Sequence, residues 1–286
     1  MRIYTLPFIL TTLCLSGGAL AQPTHRVVRL SPPEAYRPSE TSIAINPVNP
    51  DNIIGTSIQY NKQGGPRVNG HSYVTTDGGK TWRDVALVNP RNLSQGDDSI
   101  TFDATGRAFH AYMSFDGIRV PNPPRAYSGI YIVSTSDGGQ SWSAPVPVID
   151  HVNSIMPFED KPWVVTDNAA ASPYKNRVYL AWTRFDVYGS KNPEHKSHIM
   201  FAASHDGGVS FRPVSKISDE SGDALDGDGT LEGAITAVGL KGEVYVIWSG
   251  PKGLVMDKSM DGGVTFGKDK IIGAHPGGWD MEIPGV

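Results

Sequence analysis

An eight-residue pattern occurs four times in this chain and constrains its fold more than any other feature. Each copy has Ser or Thr, any residue, Asp-Gly-Gly, any residue, Ser or Thr, and then an aromatic residue. We call these segments the DGG turns, and they cover residues 75–82, 135–142, 204–211 and 259–266. Their aspartates are Asp77, Asp137, Asp206 and Asp261. A gap-free pattern that recurs at long, similar spacing is typical of repeat architectures.

The sequence around each DGG turn predicts a unit of four antiparallel strands. Apolar and polar residues alternate before and after each turn, as in 71–75 and 82–88 around the first copy, which is the pattern of a β-hairpin. A second hairpin precedes each turn. Its first arms are predicted at 41–45, 99–102, 162–165 and 234–237. No unit has an apolar period of 3.6 residues, so the sequence predicts no helix.

Four such sheets favour a β-propeller, because one isolated sheet would leave two apolar faces bare and radial packing covers them. The composition fits, with 32 Gly and 22 Pro for turns and 39% hydrophobic residues for a core. The predicted class is therefore all-β, with four-stranded antiparallel blades over residues 39–286. Four blades are complete, and 278–286 reads as the first strand of a fifth.

The DGG turn resembles the Asp-box, or bacterial neuraminidase repeat, of sialidases and their propeller relatives. The similarity covers about 39–286, and it implies a glycan or glycoconjugate partner and an exo-α-sialidase-like glycosidase. Since such propellers have six or seven blades, it also implies a truncated member of the family. The alternative is a small ring in which residues 26–30 join a terminal blade.

Turn chemistry assigns the four repeated aspartates a structural role. A carboxylate at the start of a tight turn accepts hydrogen bonds from the following backbone amides, and the glycines allow positive φ. We therefore expect the DGG turns at the periphery. We also expect their aromatic residues to be buried between sheets; these are Trp82, Trp142, Phe211 and Phe266.

The N-terminus predicts a signal peptide over residues 1–21, with a mature chain from Gln22 and a short N-terminal segment over 22–38. Arg2 precedes an uncharged apolar run, and a small-x-small site ends it at Ala21, as in secretory leaders. The predicted location is secreted or periplasmic. Cys14 is the one cysteine and lies inside this leader, which excludes disulfides and a cysteine nucleophile from the mature chain.

Charge and hydropathy exclude two classes of partner. Lys and Arg number 25 against 29 Asp and Glu, a net charge of -4, so there is no basic excess for nucleic acid. After the leader, no apolar run approaches the roughly 18 residues that span a bilayer. The sequence predicts neither nucleic-acid binding nor membrane insertion.

Carboxylates stand before each predicted inner strand and are the candidates for chemistry. They are Glu40, the Asp97-Asp98 pair, the Glu159-Asp160 pair and Glu232. Crowded carboxylates acquire different pKa values and divide into acid and base. We therefore name Asp98, Asp160 and Glu232 as candidate catalytic residues. Binding a cation or sugar hydroxyls, or bonding between blades, are the alternatives.

Sialidases also use arginines that clamp the substrate carboxylate, for which the guanidinium has matching bidentate geometry. The family's first arginine lies in an N-terminal motif, and Arg37, directly before the first predicted inner strand, is the better match here. Arg37 is therefore the fourth candidate catalytic residue. No second or third arginine can be assigned by motif.

The segment 223–232 alternates acidic residues with glycines, which resembles part of a calcium loop. Asp226 and Asp228 are its candidate ligands, and a flexible acidic loop is the alternative. The histidines lack zinc spacing, and the predicted chemistry requires no cofactor. Two functions follow: a sialidase-like glycosidase, or a non-catalytic propeller that binds glycan or protein.

Overall fold

The computed structural model describes residues 27–60, 68–90, 94–118 and 126–275. These residues form four antiparallel sheets and no helix, which confirms the predicted all-β propeller class. The first sheet contains β1 (Ser39–Ile45), β2 (Ile53–Tyr60), β3 (Val68–Thr75) and β4 (Arg83–Ala86). The second contains β5 (Ser94–Phe102), β6 (Ala108–Asp116), β7 (Tyr127–Thr135) and β8 (Val146–Val152).

The other two sheets repeat the same meander. The third contains β9 (Phe158–Thr166), β10 (Val178–Phe185), β11 (Lys196–Ser204) and β12 (Val214–Lys216), and the short β13 (Gly222–Asp223) also pairs with β11. The fourth contains β14 (Glu232–Val238), β15 (Val244–Gly250), β16 (Gly253–Ser259) and β17 (Lys270–Gly273). Each sheet is thus one blade of four consecutive strands.

The first strands of successive blades lie side by side and form the inner wall: β1 is next to β5, β5 to β9, and β9 to β14. Side-chain hydroxyls join them, because the backbone amide of Ile100 donates to Ser42 Oγ at 3.3 Å and that of Val164 donates to Ser99 Oγ at 2.8 Å. These bonds satisfy inner-strand amides that would otherwise lack partners.

The hydrophobic core lies between neighbouring blades. Phe109 and Ile132 of the second blade pack with Leu180 and Trp182 of the third. Trp248 of the fourth blade packs in a second cluster shared with the third. Trp182 and Trp248 are at most 1% exposed.

Each DGG turn is closed by its aspartate in the same way. In the third copy, Asp206 Oδ1 accepts the amides of Val209 and Ser210, and Oδ2 accepts the Ser210 hydroxyl at 2.6 Å. The slight burial would raise the pKa of Asp206, but the Ser210 and Ser204 hydroxyls and the backbone amides outweigh it and lower that pKa to about 2. Asp77, Asp137 and Asp261 accept the same set of bonds.

Each DGG turn after the first also bonds to the preceding blade. The residue before the second strand of a blade donates to the carbonyl of the first glycine in the next blade's turn. The pairs are Asn52 with Gly138 at 2.9 Å, Arg107 with Gly207 at 2.7 Å, and Arg177 with Gly262 at 3.0 Å. In the fourth blade this position is Glu243, whose carboxylate cannot donate. The repeated motif therefore closes a turn and also joins blades.

The aromatic residues of the DGG turns are less buried than predicted. Phe211 is 3% exposed and packs between the second and third blades, as expected. Trp142 and Phe266 are only half-buried against the blade clusters, and Trp82 is half-buried too. The Trp82 indole donates to Gly79 O at 3.1 Å within its own turn. Within the described ranges no blade precedes the first one, so nothing covers this ring from that side.

The inner strands begin earlier than the sequence predicts, because each contains a β-bulge near its start. The bulge begins with a residue in the left-handed region. These residues are Glu40 (φ 53°), Asp97 (φ 52°), Lys161 (φ 49°) and Gly233 (φ 70°). Acidic residues, Gly and Pro at these positions are typical of loops, so the sequence pattern places the strand start after them. A bulge allows the strand to continue through them.

Several sequence expectations fall on residues outside the described ranges, namely the signal peptide 1–21 and the fifth-blade strand 278–286. Residues 27–38 form no strand, and within the described part of the chain no ladder joins the first sheet to the fourth. The described residues also contain no helix that is long and apolar enough to cross a membrane.

Candidate functional site

A cavity of about 310 Å³ lies at one end of the inner strands, where the first three blades meet. Its polar lining includes Glu40, Asp97, Asp160 and Lys161. Its apolar lining includes Tyr60, Met113, Phe115, Phe158 and Tyr188. The DGG turns lie at the other end of the strands, since the strand register places Thr75 beside Ile53, and none of their aspartates lines this cavity.

The bulge residues link the blades around this cavity. Glu40 Oε2 accepts the backbone amide of Asp97 at 2.9 Å, and Asp97 Oδ2 accepts the amide of Lys161 at 3.3 Å. Lys161 Nζ in turn lies 2.8 Å from Glu232 Oε1. Glu40, Asp97 and Lys161 therefore each contact the next blade, and their side chains line one cavity at the axial end of the inner strands.

Lys161 lies among several carboxylates. Its ammonium is 3.9 Å from Asp160 Oδ2 and 2.8 Å from Glu232 Oε1. Burial alone would lower the pKa of Lys161, but the negative charges around it, that of Asp160 foremost, outweigh this and raise its pKa. Lys161 is therefore a permanent cation between the third and fourth blades.

Three carboxyls in or beside the cavity have raised pKa values, namely those of Asp160, Glu40 and Glu232. Asp160 is 5% exposed, and burial followed by the charge of Asp97 raises its pKa well above the usual range. Loss of hydration and the charge of Asp97 also raise the pKa of Glu40 to about 7. Burial raises the pKa of Glu232 as well, against the opposing effect of Lys161 and with a further rise from Asp226. Burial therefore favours the protonated form of these three carboxyls.

Of the predicted catalytic residues, the structure brings Asp160 and Glu232 together around Lys161. Arg37 is exposed, its guanidinium carbon lies 5.2 Å from the centre of the Tyr36 ring, and it does not line the cavity. Asp98 does not line the cavity either. It lies between the first two blades, where its Oδ1 contacts His110 Nε2 at 2.9 Å.

Ser72, His110 and Asp98 are connected in the same order as a Ser-His-Asp triad. Ser72 Oγ lies 3.1 Å from His110 Nδ1, the imidazole nitrogen that does not contact Asp98. Ser72 and His110 are both 0% exposed, and Asp98 is 5% exposed. No substrate can reach this serine in the folded chain, so the three residues form a buried polar contact between blades.

The two predicted calcium ligands, Asp226 and Asp228, have different environments. Asp226 accepts a hydrogen bond from the Tyr188 hydroxyl and faces Glu232, whereas Asp228 is exposed. Asp223 holds the loop itself, accepting Leu225 N at 3.0 Å and Thr230 Oγ1 at 2.9 Å. Among the described residues, no group of three or more His, Cys, Asp or Glu side chains is placed to hold a metal ion. A calcium site at Asp226 and Asp228 stays a prediction.

Sequence reasoning noted the acids Glu40 and Asp97 but did not select them, and it missed the role of Lys161. The signal was present in the repeat, because all three stand one or two residues before a predicted inner strand. Behind them, Glu159 accepts hydrogen bonds from Trp182 Nε1 at 2.5 Å and Arg184 Nε at 2.8 Å, which fixes the strand that carries Asp160.

Comparison with solved structures finds β-propellers. A protein of unknown function from Dyadobacter fermentans aligns with TM-score 0.60 and 18% identity over 85% of this chain and 71% of its own. The Fusarium graminearum α-L-arabinofuranosidase aligns at 0.58 and 14% over 81% and 66%, and a Hadza microbial sialidase at 0.51 and 15% over 83% and 46%.

These similarities establish the fold, since every identity is low. The chain spans about two thirds of the arabinofuranosidase and about half of the sialidase. No family model and no curated protein sequence matches the chain.

Proposed function

We propose that this chain is a glycan-acting β-propeller that hydrolyses a glycosidic bond in the cavity between Glu40 and Lys161. The observation that carries the proposal is Asp160, a buried carboxyl with a raised pKa that lines a cavity beside a second carboxylate, Asp97. Paired carboxyls of unequal pKa are the groups that glycoside hydrolysis needs. The arabinofuranosidase and sialidase named above share the fold, which supports the choice of substrate class.

In this mechanism Asp160 is the general acid. Its raised pKa favours the protonated form, and the proton is transferred to the glycosidic oxygen as the bond to the leaving group breaks. The negative charge of Asp97 stabilises the positive charge that develops on the sugar ring. Water then attacks the anomeric carbon, and its proton passes to a carboxylate of the site.

The aromatic wall supplies the binding surface. The rings of Phe115 and Phe158 are 5.6 Å apart, and those of Phe158 and Tyr188 are 5.0 Å apart. Apolar ring surfaces of this kind pack against the C–H face of a sugar, while the carboxylates accept hydrogen bonds from its hydroxyls. One wall is therefore apolar and the other acidic, as a sugar ring requires.

Exo-sialidase activity is the narrower form of the proposal, and the repeat pattern supports it. Among the described residues that line the cavity, Lys161 is the one cation, and its ammonium already contacts Glu232. That lining favours a neutral sugar over a carboxylated one. Neutral furanosides and sialosides therefore belong in the same test.

The test is turnover of fluorogenic glycosides, including an α-L-arabinofuranoside and an α-sialoside, by the purified chain. Asp160→Asn is expected to reduce kcat by about 10²-fold or more, as loss of a general acid does. Glu34→Gln, an exposed carboxylate in the N-terminal segment, is the control and keeps full activity. Glycan binding without turnover of any substrate would favour the non-catalytic propeller instead.

Export is proposed separately from catalysis. The leader pattern over residues 1–21 supports it. N-terminal sequencing of the protein recovered from cells that express the whole chain is expected to begin at Gln22. A mature protein that begins at Met1 would contradict export by this leader.

A further inference from the structure

The ammonium of Lys161 lies between two buried carboxyls and is closer to one of them. Its Nζ is 2.8 Å from Glu232 Oε1, the distance of a direct ion pair, and 3.9 Å from Asp160 Oδ2, which is beyond hydrogen-bonding distance. Glu232 is the first residue of β14 in the fourth blade, whereas Asp160 precedes Lys161 on β9. The lysine therefore makes its direct contact with the carboxylate of the next blade and not with the acid beside it.

Glu232 is buried and stands behind the cavity wall. It is 5% exposed and does not line the cavity, whereas Asp160 and Lys161 both do. Its link to the cavity is the ion pair with Lys161. Any effect of Glu232 on a ligand in the cavity is therefore indirect and passes through the lysine.

The backbone of Lys161 is held independently of that ion pair. Its amide donates to Asp97 Oδ2 at 3.3 Å, and its φ of 49° belongs to the bulge. The side chain is 37% exposed, and the flexible four-carbon stem of a lysine can carry its ammonium towards either carboxyl. The position of the ammonium therefore depends on the charges of Glu232 and Asp160.

We propose that Glu232 is a positioning residue, which holds the Lys161 ammonium away from Asp160 and so preserves the proton of the general acid. This inference rests on the proposed function, in which Asp160 donates that proton. An ammonium in close contact with a carboxyl lowers the pKa of that carboxyl by about 1–3 units. Without Glu232 the ammonium turns to Asp160, and the acid loses its proton at a lower pH.

Lys161 is the cation that opposes the other influences on Asp160. Burial, followed by the charge of Asp97, raises the pKa of Asp160, and Lys161 counteracts both. Among the described residues, the further groups that face these side chains from the packed elements are acidic; they are Glu40 beside Asp97, and Asp226 beside Glu232. The distance between Lys161 Nζ and Asp160 therefore decides how strongly the acid is held in its charged form.

The experiment measures the pKa of Asp160 in Glu232→Gln. Carboxyl ¹³C NMR of aspartate-labelled protein follows the titration, and the signal of Asp160 is the one that disappears in Asp160→Asn. Glu220→Gln is the matched control, because Glu220 pairs with Lys252 at 2.5 Å but both side chains are more than half exposed. Thermal denaturation checks the fold of each variant.

We expect Glu232→Gln to lower the pKa of Asp160 by about one unit or more, and to move the decline of kcat/KM at high pH by the same amount. Glu232→Asp keeps the charge but ends one methylene short of the lysine, so it lowers that pKa by less. Glu220→Gln leaves it unchanged. In a Lys161→Met background, Glu232→Gln is expected to have less than half of its effect, because no ammonium is left to move.

An unchanged pKa of Asp160 in Glu232→Gln overturns the inference. An equal fall in the Lys161→Met background overturns it too, since Glu232 then acts by its own charge and not through the lysine. Should Glu232→Gln fail to fold, the test passes to Glu232→Asp, where the absence of any fall has the same meaning. The titration needs no substrate, so the expected pKa changes in a protein that turns over no glycoside overturn the proposed function alone.

Discussion

Lys161 Nζ lies 2.8 Å from Glu232 Oε1, and this ion pair joins the third blade to the fourth beside the cavity. The lysine starts a bulge with φ 49°, a conformation that few residues other than glycine adopt. Such strain persists where surrounding contacts hold it and is concentrated at functional sites. Here two contacts hold Lys161 in this conformation: the ion pair with Glu232 and the hydrogen bond from the Lys161 backbone amide to Asp97 Oδ2.

Replacement of Lys161 by Met is expected to destabilise the fold by about 2 kcal/mol, because Glu232 and Asp160 lose the cation between them. The lysine is 37% exposed along its side chain, so the cost stays below that of breaking a fully buried pair. The free energy of unfolding in urea measures it.

Lys252→Met is the matched control for that experiment. Lys252 pairs with Glu220 at 2.5 Å, but both side chains are more than half exposed. An exposed pair of this kind contributes about 0–1 kcal/mol. Equal losses in the two variants would show that the Lys161 pair has no special role.

Activity is expected to decline as the pH rises through the pKa of Asp160. Burial and the charge of Asp97 raise that pKa, so the general acid keeps its proton to a higher pH than an ordinary aspartic acid and loses it as the pH rises further. The pH profile of kcat/KM measures it. Asp160→Glu keeps an acid in a different position and is expected to change the apparent pKa of the decline in kcat/KM at high pH. An unchanged apparent pKa would mean that another group causes the decline.

Acid stability is expected to depend on the DGG turns. The folded pKa of Asp206 is about 2, below the ordinary value of an aspartate. A depressed folded pKa means that its contribution to stability is complete above about pH 4 and is lost as the pH falls from there towards 2. Asp206→Asn should therefore lower Tm at pH 7 and reduce the fall in Tm between pH 4 and pH 2. Glu34→Gln is the control, and the two variants behaving alike would refute this role.

Removal of the Arg107 side chain is expected to destabilise the fold by about 1.5–3 kcal/mol, as loss of a charged hydrogen bond does. Arg107 Nη1 donates to Gly207 O at 2.7 Å across the boundary between the second and third blades. Arg107→Ala is compared by urea unfolding with Arg29→Ala, whose guanidinium bonds only to nearby exposed groups in the N-terminal segment. No difference between them would mean that the DGG turn contributes nothing to blade contact.

The four-blade architecture was predictable from sequence, because the DGG turns and their flanking strands repeat together. The side on which each acid lies was not. Asp97 faces the cavity and Asp98 faces His110 in the boundary between blades. Neighbouring residues of a strand point to opposite faces, and a bulge shifts that alternation by one residue. The sequence pattern does not show the bulge, so it could not decide between the two aspartates.

In the third blade, too, the sequence pattern does not show which of two adjacent acids faces the cavity. There the second acid of the pair faces it, whereas in the second blade the first acid does. Asp160 lines the cavity, while Glu159 beside it is 0% exposed and accepts hydrogen bonds from Trp182 and Arg184. Burial of Glu159 depends on which strands of two blades meet, which no local pattern records.

The boundary between the first two blades is attached at both of its ends. Glu40 bonds to the Asp97 amide at the cavity end, and Asn52 bonds to Gly138 O at the DGG-turn end. Two fixed points at opposite ends of one boundary prevent either blade from pivoting against the other unless one attachment breaks. Glu40 and Asp97, which come from different blades, are thereby held at a fixed separation. The free-energy cost of arranging these two carboxyls is met when the chain folds, so under the proposed mechanism it would not recur each time a substrate binds.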